Sequence, residues 1–272
     1  MASPESDKVF SGSIPALYNE YLVPMIFEPY AAGLAARVAA RAPGSVLEIA
    51  AGTGVVTRTM ARLLPHAVSL VATDLNQPML DLAAAVGTAR PVEWRRADAL
   101  QLPFKGGAFD AVVCQFGVMF FPDKTKAFSE ARRVLKSGGA FLFNVWDRVE
   151  ENEFADTVSE AMASLFPGDP PRFVTRTPHG YYDLAAIRRE LEEAGFRSAA
   201  HIETVAARSR AATPRVAAIA YCQGTPLRNE IEARDHSGLA GATAAAEEAF
   251  ARRFGPGRIE GKIQAHVVTV ER

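Results

Sequence analysis

Between residues 45 and 147, short apolar runs alternate with amphipathic ones. SVLEIA (45–50), SLVATD (69–74), FDAVVCQF (109–116) and AFLFNVW (140–146) are too short for ordinary helices and largely apolar on both faces. That is the pattern of strands buried in a parallel sheet. VEWRRAD (92–98) mixes polarities and reads as a strand nearer an edge. VVTRTMARLL (55–64), closed by Pro65, and TKAFSEARRVL (125–135) carry the spacing of helices. Asn76 can cap a third helix with Pro78 in its first turn, where the missing N–H costs nothing. Lys136-Ser137-Gly138-Gly139 reads as a helix C-cap. Strands alternating with helices imply right-handed βαβ units and a parallel sheet.

Outside this stretch the rhythm differs. Residues 1–12 read as a loose tail, and a first helix runs from Ile14 to Leu22, with Pro24 expected to interrupt it. A second carries Phe27, Tyr30, Ala31, Leu34 and Val38 at helical spacing, before Ala42-Pro43-Gly44 punctuates. Residues 152–166 form an amphipathic helix with Phe154, Val158, Met162 and Leu165, followed by a Pro/Gly-rich loop at 167–180. DLAAIRRELEEAGF (183–196) is a strong helix with Gly195 as its C′ residue. HIETVAA (201–207) and KIQAHVVTV (262–270) read as strands, and residues 213–253 as helical with breaks near 224–226 and 237–241. The expected division is a helical cover (1–40), an α/β core (41–207, with a helical insertion about 150–180), a helical cap (208–261) and a final core strand (262–272).

Composition narrows the function classes. Of 272 residues, 49% are apolar, ample for a large core. With 30 Lys plus Arg against 31 acids, the net charge of −1 gives no global pull toward nucleic acid. Cys114 and Cys222 are too few for a disulfide framework or a cysteine zinc site and fit a reducing cytoplasm. The polar start MASPESDKVFSGS lacks the apolar stretch of a signal peptide, and no apolar run suggests a membrane span. The expectation is a cytoplasmic protein with a small-molecule substrate, no metal and no nucleic-acid partner. Oligomeric state has no signature in the sequence.

The chemistry centres on EIAAGTG (48–54), where Gly52 and Gly54 follow a strand beside an acid. Such a loop can cradle the pyrophosphate of a dinucleotide or the amino-acid end of S-adenosylmethionine. The third small residue of a dinucleotide fingerprint is missing, because Thr57 stands there. Asp74, ending the second strand, suits the ribose hydroxyls of either cofactor. The stretch Glu48-x-Ala50-x-Gly52-x-Gly54 resembles the acidic-x-glycine-x-glycine-x-glycine motif of class I S-adenosylmethionine-dependent methyltransferases, with alanine in the first glycine slot. RADALQLPF (96–104), AFDAVVCQFGVMFFPD (108–123) and ARRVLKSGGAFLF (131–143) follow in that family's order. Together they resemble its small-molecule branch, which includes ubiquinone/menaquinone-type enzymes.

The resemblance implies a Rossmann-like, seven-stranded, mostly parallel sheet with its last strand antiparallel and helices on both faces. It implies methyl transfer to O, C or N of a small, fairly apolar acceptor by in-line displacement. It also implies S-adenosylmethionine bound through Glu48, Ala50, Gly52, Gly54, Asp74 and Gln115, with Asp98 taking the adenine amino group and Leu75 and Ala99 flanking the ring. Phe116, Met119, Phe120, Trp146, Tyr181 and Tyr182 are candidates for the acceptor pocket. Methyl transfer requires no obligatory catalytic residue, since positioning and exclusion of water lower much of the barrier. If the acceptor must lose a proton, His179, Tyr18 and Tyr21 are the candidates. An NAD(P)-dependent oxidoreductase is the alternative, but none of the six tyrosines has a lysine four residues on. A catalytically inactive S-adenosylmethionine-binding protein is a further one. At Ala50 the expectation is an ordinary negative φ with cofactor binding retained, and a positive φ there would mean that the loop was misread.

Overall fold

Buried apolar runs and amphipathic spacing become strands and helices in chain order. The computed structural model describes residues 5–272. After a 3-10 turn (Glu5–Lys8) come α1 (Ile14–Leu17), a π-helical segment (Tyr18–Phe27), α2 (Glu28–Ala39), β1 (Ser45–Glu48), α3 (Val55–Leu63), β2 (Ser69–Asp74) and α4 (Gln77–Val86). Next come β3 (Glu93–Arg96), β4 (Phe109–Gln115), α5 (Lys124–Val134), β5 (Leu135–Trp146), α6 (Glu153–Leu165), α7 (Phe173–Arg176) and α8 (Leu184–Glu193). The chain ends with β6 (His201–Ala211), α9 (Pro214–Gln223), α10 (Leu227–Arg234), α11 (Leu239–Phe254) and β7 (Ile259–Glu271).

The strands form one seven-stranded sheet in the order β3-β2-β1-β4-β5-β7-β6. β1 pairs parallel with β2 and with β4, β2 with β3, and β4 with β5. β7 runs the other way: Arg272 N donates to Gly139 O at one end and Asp147 N to Gln264 O at the other. β6 is antiparallel to β7, since Thr204 meets His266 while Arg208 and Arg210 meet Glu260. Only β7 is therefore reversed, the sense expected for the last strand.

The chain divides into two compact units. One comprises Tyr30–Val145, Tyr182–Val205 and Ala265–Arg272. The other comprises the residues up to Pro29, Trp146–Tyr181 and Ala206–Gln264.

In the first unit, alternation along each strand sends side chains to opposite sheet faces. Val46, Ala111, Val113, Ala140 and Leu142 meet Leu34 and Val38 of α2 and Val56 and Met60 of α3. On the opposite parity, Phe143 stacks on Phe128 of α5, Phe141 meets Phe128 edge-on, and Phe141 stacks with Phe196 beyond α8. In the second unit Phe154 of α6 packs edge-on against Phe250 and Phe254 of α11.

Four expectations about elements are corrected. Pro24 does not interrupt the first helix, because the chain widens into a π-helix, in which Glu28 N reaches Val23 O. The wider turn removes the clash between a proline ring and the carbonyl four residues back. Residues 136–139 are not a helix cap, since α5 ends at Val134 and they lie within β5. Pairing with β4 shifts between Phe109 and Ala111, and a Cβ on Gly139 would lie 2.9 Å from Asp110 O, so the bulge needs glycine there. Leu165, expected on the buried face of its helix, ends α6 and is 43% exposed. The tail from residue 5 on is not loose. Asp7 is buried against Arg176 at 2.7 Å and Thr177, while residues 1–4 lie outside the described residues. Gly195 does end α8 in the left-handed region, at φ +95°.

Candidate functional site

The loop from Glu48 to Gly54 joins β1 to α3 in the first unit. Ala50, Gly52 and Gly54 all adopt positive φ, at +52°, +56° and +82°. The expectation of a negative φ at Ala50 is therefore wrong. The loop keeps the glycine-type conformation at that slot, and alanine is held there at a cost of about 1–2 kcal/mol. Tertiary contact holds it: a Cβ placed on Gly117, after β4, would lie only 2.5 Å from the Ala50 Cβ. The bare Gly117 leaves room for the Ala50 methyl.

Asp74 ends β2 and is tied to this loop. One carboxylate oxygen accepts from Gly52 N at 2.8 Å and the other from Asn76 N at 2.8 Å. Burial pushes the Asp74 carboxyl up, opposed by the amides of Asn76 and Gly52. Asn76 precedes α4 as expected, but its side chain makes no capping bond. Oδ1 also takes the Asn76 side-chain amide at 3.5 Å, and the oxygen that accepts from Gly52 has acceptor capacity beyond that one amide.

Glu48 is 2% exposed and accepts a hydrogen bond from the Thr57 hydroxyl on α3. Its own main-chain oxygen accepts from the Thr73 hydroxyl at 3.1 Å. Desolvation raises the Glu48 carboxyl to about 8, against the opposing effects of Thr57 and Arg58. Thr57, which counted only as a missing third glycine in the sequence, is the partner that holds this acid. Its spacing from Gly54, on the inner face of the helix, was the available signal.

α3 starts at Gly54 with no side-chain cap, so its N-terminal amides and dipole suit an anion. The Thr53 hydroxyl in the same loop is buried without a hydrogen-bond partner among the described residues. A Cβ on Gly54 would lie 2.7 Å from the Trp94 indole of β3. Nothing in the sequence pointed to Trp94 as a loop contact, since the pairing depends on how β3 lies beside β2.

Leu75, directly after Asp74, is 42% exposed, an apolar surface suited to a flat ring. Asp98 is exposed and accepts from Leu100 N at 2.9 Å, with Ala99 half-buried beside it. Gln115, ending β4, accepts from the Asn144 side chain of β5 at 3.3 Å. Phe116 is buried at φ +52° and packs edge-on to Tyr30, with ring centroids 5.3 Å apart. Met119 is buried and Phe120 half-buried. These residues all belong to the first unit, as does Tyr182, which is 43% exposed.

Trp146, Tyr181, His179, Tyr18 and Tyr21 belong to the second unit. Tyr18 lies 5.1 Å from Phe27, Phe27 6.1 Å from Trp146, and Trp146 5.9 Å from the His179 ring, between centroids. His179 is buried, its Nδ1 2.8 Å from the main-chain oxygen of Asp147. Burial lowers its pKa to about 4. Tyr21 is half-buried, and a hydrogen bond with Glu20 raises its hydroxyl. Tyr181 is half-buried.

Strand order, reversed final strand, and glycine-type loop after β1 with an acid ending β2 together define a class I methyltransferase fold. The family described as "Methyltransferase domain" matches residues 47–143, a stretch inside the first unit. A Marinomonas ubiquinone/menaquinone biosynthesis C-methyltransferase is 30% identical over 57% of this chain and 67% of its own length. A demethylmenaquinone methyltransferase of Thermus thermophilus is 44% identical, over 38% of this chain and 47% of its own. Among solved structures, a Bacillus halodurans putative methyltransferase superposes with a TM-score of 0.56 at 20% identity, covering 88% of this chain and 97% of its own. The chain belongs to the S-adenosylmethionine-dependent methyltransferase family. It spans less than half of the Thermus relative's length.

Proposed function

We propose that this protein transfers a methyl group from S-adenosylmethionine to a ring of a small, fairly apolar acceptor. The observation that carries the cofactor reading is the Glu48–Gly54 loop, with three positive φ angles in alternation ahead of an uncapped helix. The residues fit the cofactor. The α3 N-terminus suits its methionine carboxylate, the remaining Asp74 acceptor capacity its ribose hydroxyls, and Leu75, Asp98 and Ala99 its adenine. The buried, unpartnered Thr53 hydroxyl marks the same loop as polar ground. When bound, S-adenosylmethionine supplies an electrophilic methyl on a sulfonium whose departure leaves a neutral thioether. The chain's part is to hold and orient: Asp74 fixes Gly52, and Thr57 fixes Glu48. The ring acceptor is supported by the quinone-biosynthesis names of the relatives and by the apolar character of the acceptor candidates.

Isothermal titration calorimetry with S-adenosylhomocysteine tests the cofactor reading. The expected result is one site per chain with micromolar affinity, about −8 kcal/mol. No binding at sub-millimolar ligand, in protein shown to be folded, would overturn it.

A further inference from the structure

Edge strands are blunted by charge, and β3 carries Glu93, Arg95 and Arg96 exposed. Trp94 is the exception, half-buried on a strand with one neighbour. Register shows where its indole goes. Glu48 pairs with Ala72 of β2 and Ala72 with Trp94, so the three side chains form one row on one face of the sheet. Ala72 is the small member of that row, and the indole reaches past it to the turn that opens α3. Its far atom, Cη2, stands 2.7 Å from the point a Gly54 Cβ would occupy, with Ala83 Cβ of α4 and Arg58 Nη1 of α3 at 3.3 Å each. Gly54, at φ +82°, therefore sits in a slot closed by three elements. The Arg58 guanidinium also donates to Thr53 O, on the preceding residue. Two residues along the same face of β3 stands Arg96, in register with Asp74. Arg95 between them turns to the other face, over the Phe104 ring. Arg96 Nε donates to Leu75 O at 3.0 Å, and Ala97 N to Asp74 O at 3.0 Å. Leu75 lies past the end of β2 with its side chain exposed, so the guanidinium holds main chain that little packing fixes. All these residues belong to the first unit.

We propose that the edge strand β3 positions the cofactor at both ends. Trp94 braces the turn at Gly54, whose following amides meet the amino-acid end, and Arg96 holds Leu75 in place for the adenine. The inference rests on the cofactor reading above. Both are positioning residues, acting through main chain that they touch. Without Trp94 the turn must be ordered by the ligand's carboxylate as it binds, and that ordering is taken from the affinity. Without Arg96 the Leu75 main chain loses its tether, and the adenine face loses a fixed wall. The two effects fall on different parts of the ligand and can be read separately.

The test is calorimetry on the full chain with two ligands, S-adenosylhomocysteine and methylthioadenosine, which keeps the adenosine and sulfur but lacks the amino-acid end. Trp94→Phe keeps an aromatic ring on β3 but is too short to reach Gly54. It should bind S-adenosylhomocysteine about tenfold more weakly, the cost of ordering a turn that is no longer preformed. Its affinity for methylthioadenosine should stay within about twofold of wild type, the scatter of independent sites. Arg96→Ala should weaken both ligands by the same factor, about fivefold, as expected for one hydrogen bond. Arg96→Lys, whose Nζ can donate to Leu75 O, should restore most of that loss. In 15N-tryptophan-labelled wild type, the Trp94 indole resonance should move on adding S-adenosylhomocysteine and stay in place with methylthioadenosine, a readout independent of any variant folding. Equal weakening of both ligands in Trp94→Phe, unchanged affinities in either variant, or an indole resonance indifferent to the amino-acid end each overturns the proposal. If wild type binds S-adenosylhomocysteine while the variants fail this pattern, the cofactor reading stands and the role of β3 falls. Wild type that binds neither ligand overturns both.

Discussion

Ala50 and Gly117 hold their places jointly, and exchanging them measures that dependence. Ala50→Gly relieves a left-handed φ of +52°, which costs a non-glycine residue about 1–2 kcal/mol. The greater freedom of glycine in the unfolded chain offsets roughly 0.5–1 kcal/mol of this, leaving a net gain of about 0.5–1 kcal/mol. Gly117 has φ −103°, which any residue tolerates, so Gly117→Ala is limited only by space. The new Cβ would lie 2.5 Å from Ala50 Cβ and 2.8 Å from Cys114 Sγ, both close to rigid backbone. Overpacking of this kind costs about 1–3 kcal/mol. In the double variant the nearer clash disappears and only the sulfur contact remains. The two substitutions should therefore couple by about 1 kcal/mol, more than the ~0.5 kcal/mol scatter of independent sites. Urea unfolding of the four chains, followed by far-UV circular dichroism with a common m-value, measures each step. Additivity within that scatter, or an Ala50→Gly chain less stable than wild type, would refute the account of how the loop after β1 is held.

Two further outcomes follow from the buried acids. Glu48 is raised from 4.5 to about 8, so its contribution is complete below 4.5 and is lost as pH rises through about 8. Glu48→Gln, which resembles the protonated acid, should match wild-type stability near pH ~4 and exceed it by a few kcal/mol near pH ~9 in urea titrations. A difference that does not change with pH would sink this reading. Asp74→Ala leaves the amides of Gly52 and Asn76 without their side-chain acceptor. It should weaken S-adenosylhomocysteine binding in calorimetry by about 10- to 100-fold, since charge-assisted hydrogen bonds are worth roughly 1.5–3 kcal/mol each. Unchanged affinity would remove Asp74 from the cofactor site.

The sequence by itself determined the order of strands and helices, because burial on both faces leaves a short apolar run that local spacing reveals. It placed β2 at 69–74, the mixed-polarity β3 at the sheet edge, and Gly195 in the left-handed turn after α8. It also placed Glu48, Gly52, Gly54 and Asp74 around one loop, since adjacent parallel strands bring their carboxyl ends together. Tertiary structure alone decided what each of those residues touches. The φ of Ala50 depends on a glycine beyond β4, brought near by the parallel register of β1 and β4. Thr57 became the partner of Glu48 because α3 crosses back over its own strand. Pro24 stayed inside a helix because the wider π-helical turn takes its ring away from the carbonyl four residues back. The tautomer of His179 was settled by a carbonyl 32 residues earlier in the chain. Spacing along a chain reports which positions are buried, and only packing reports against what.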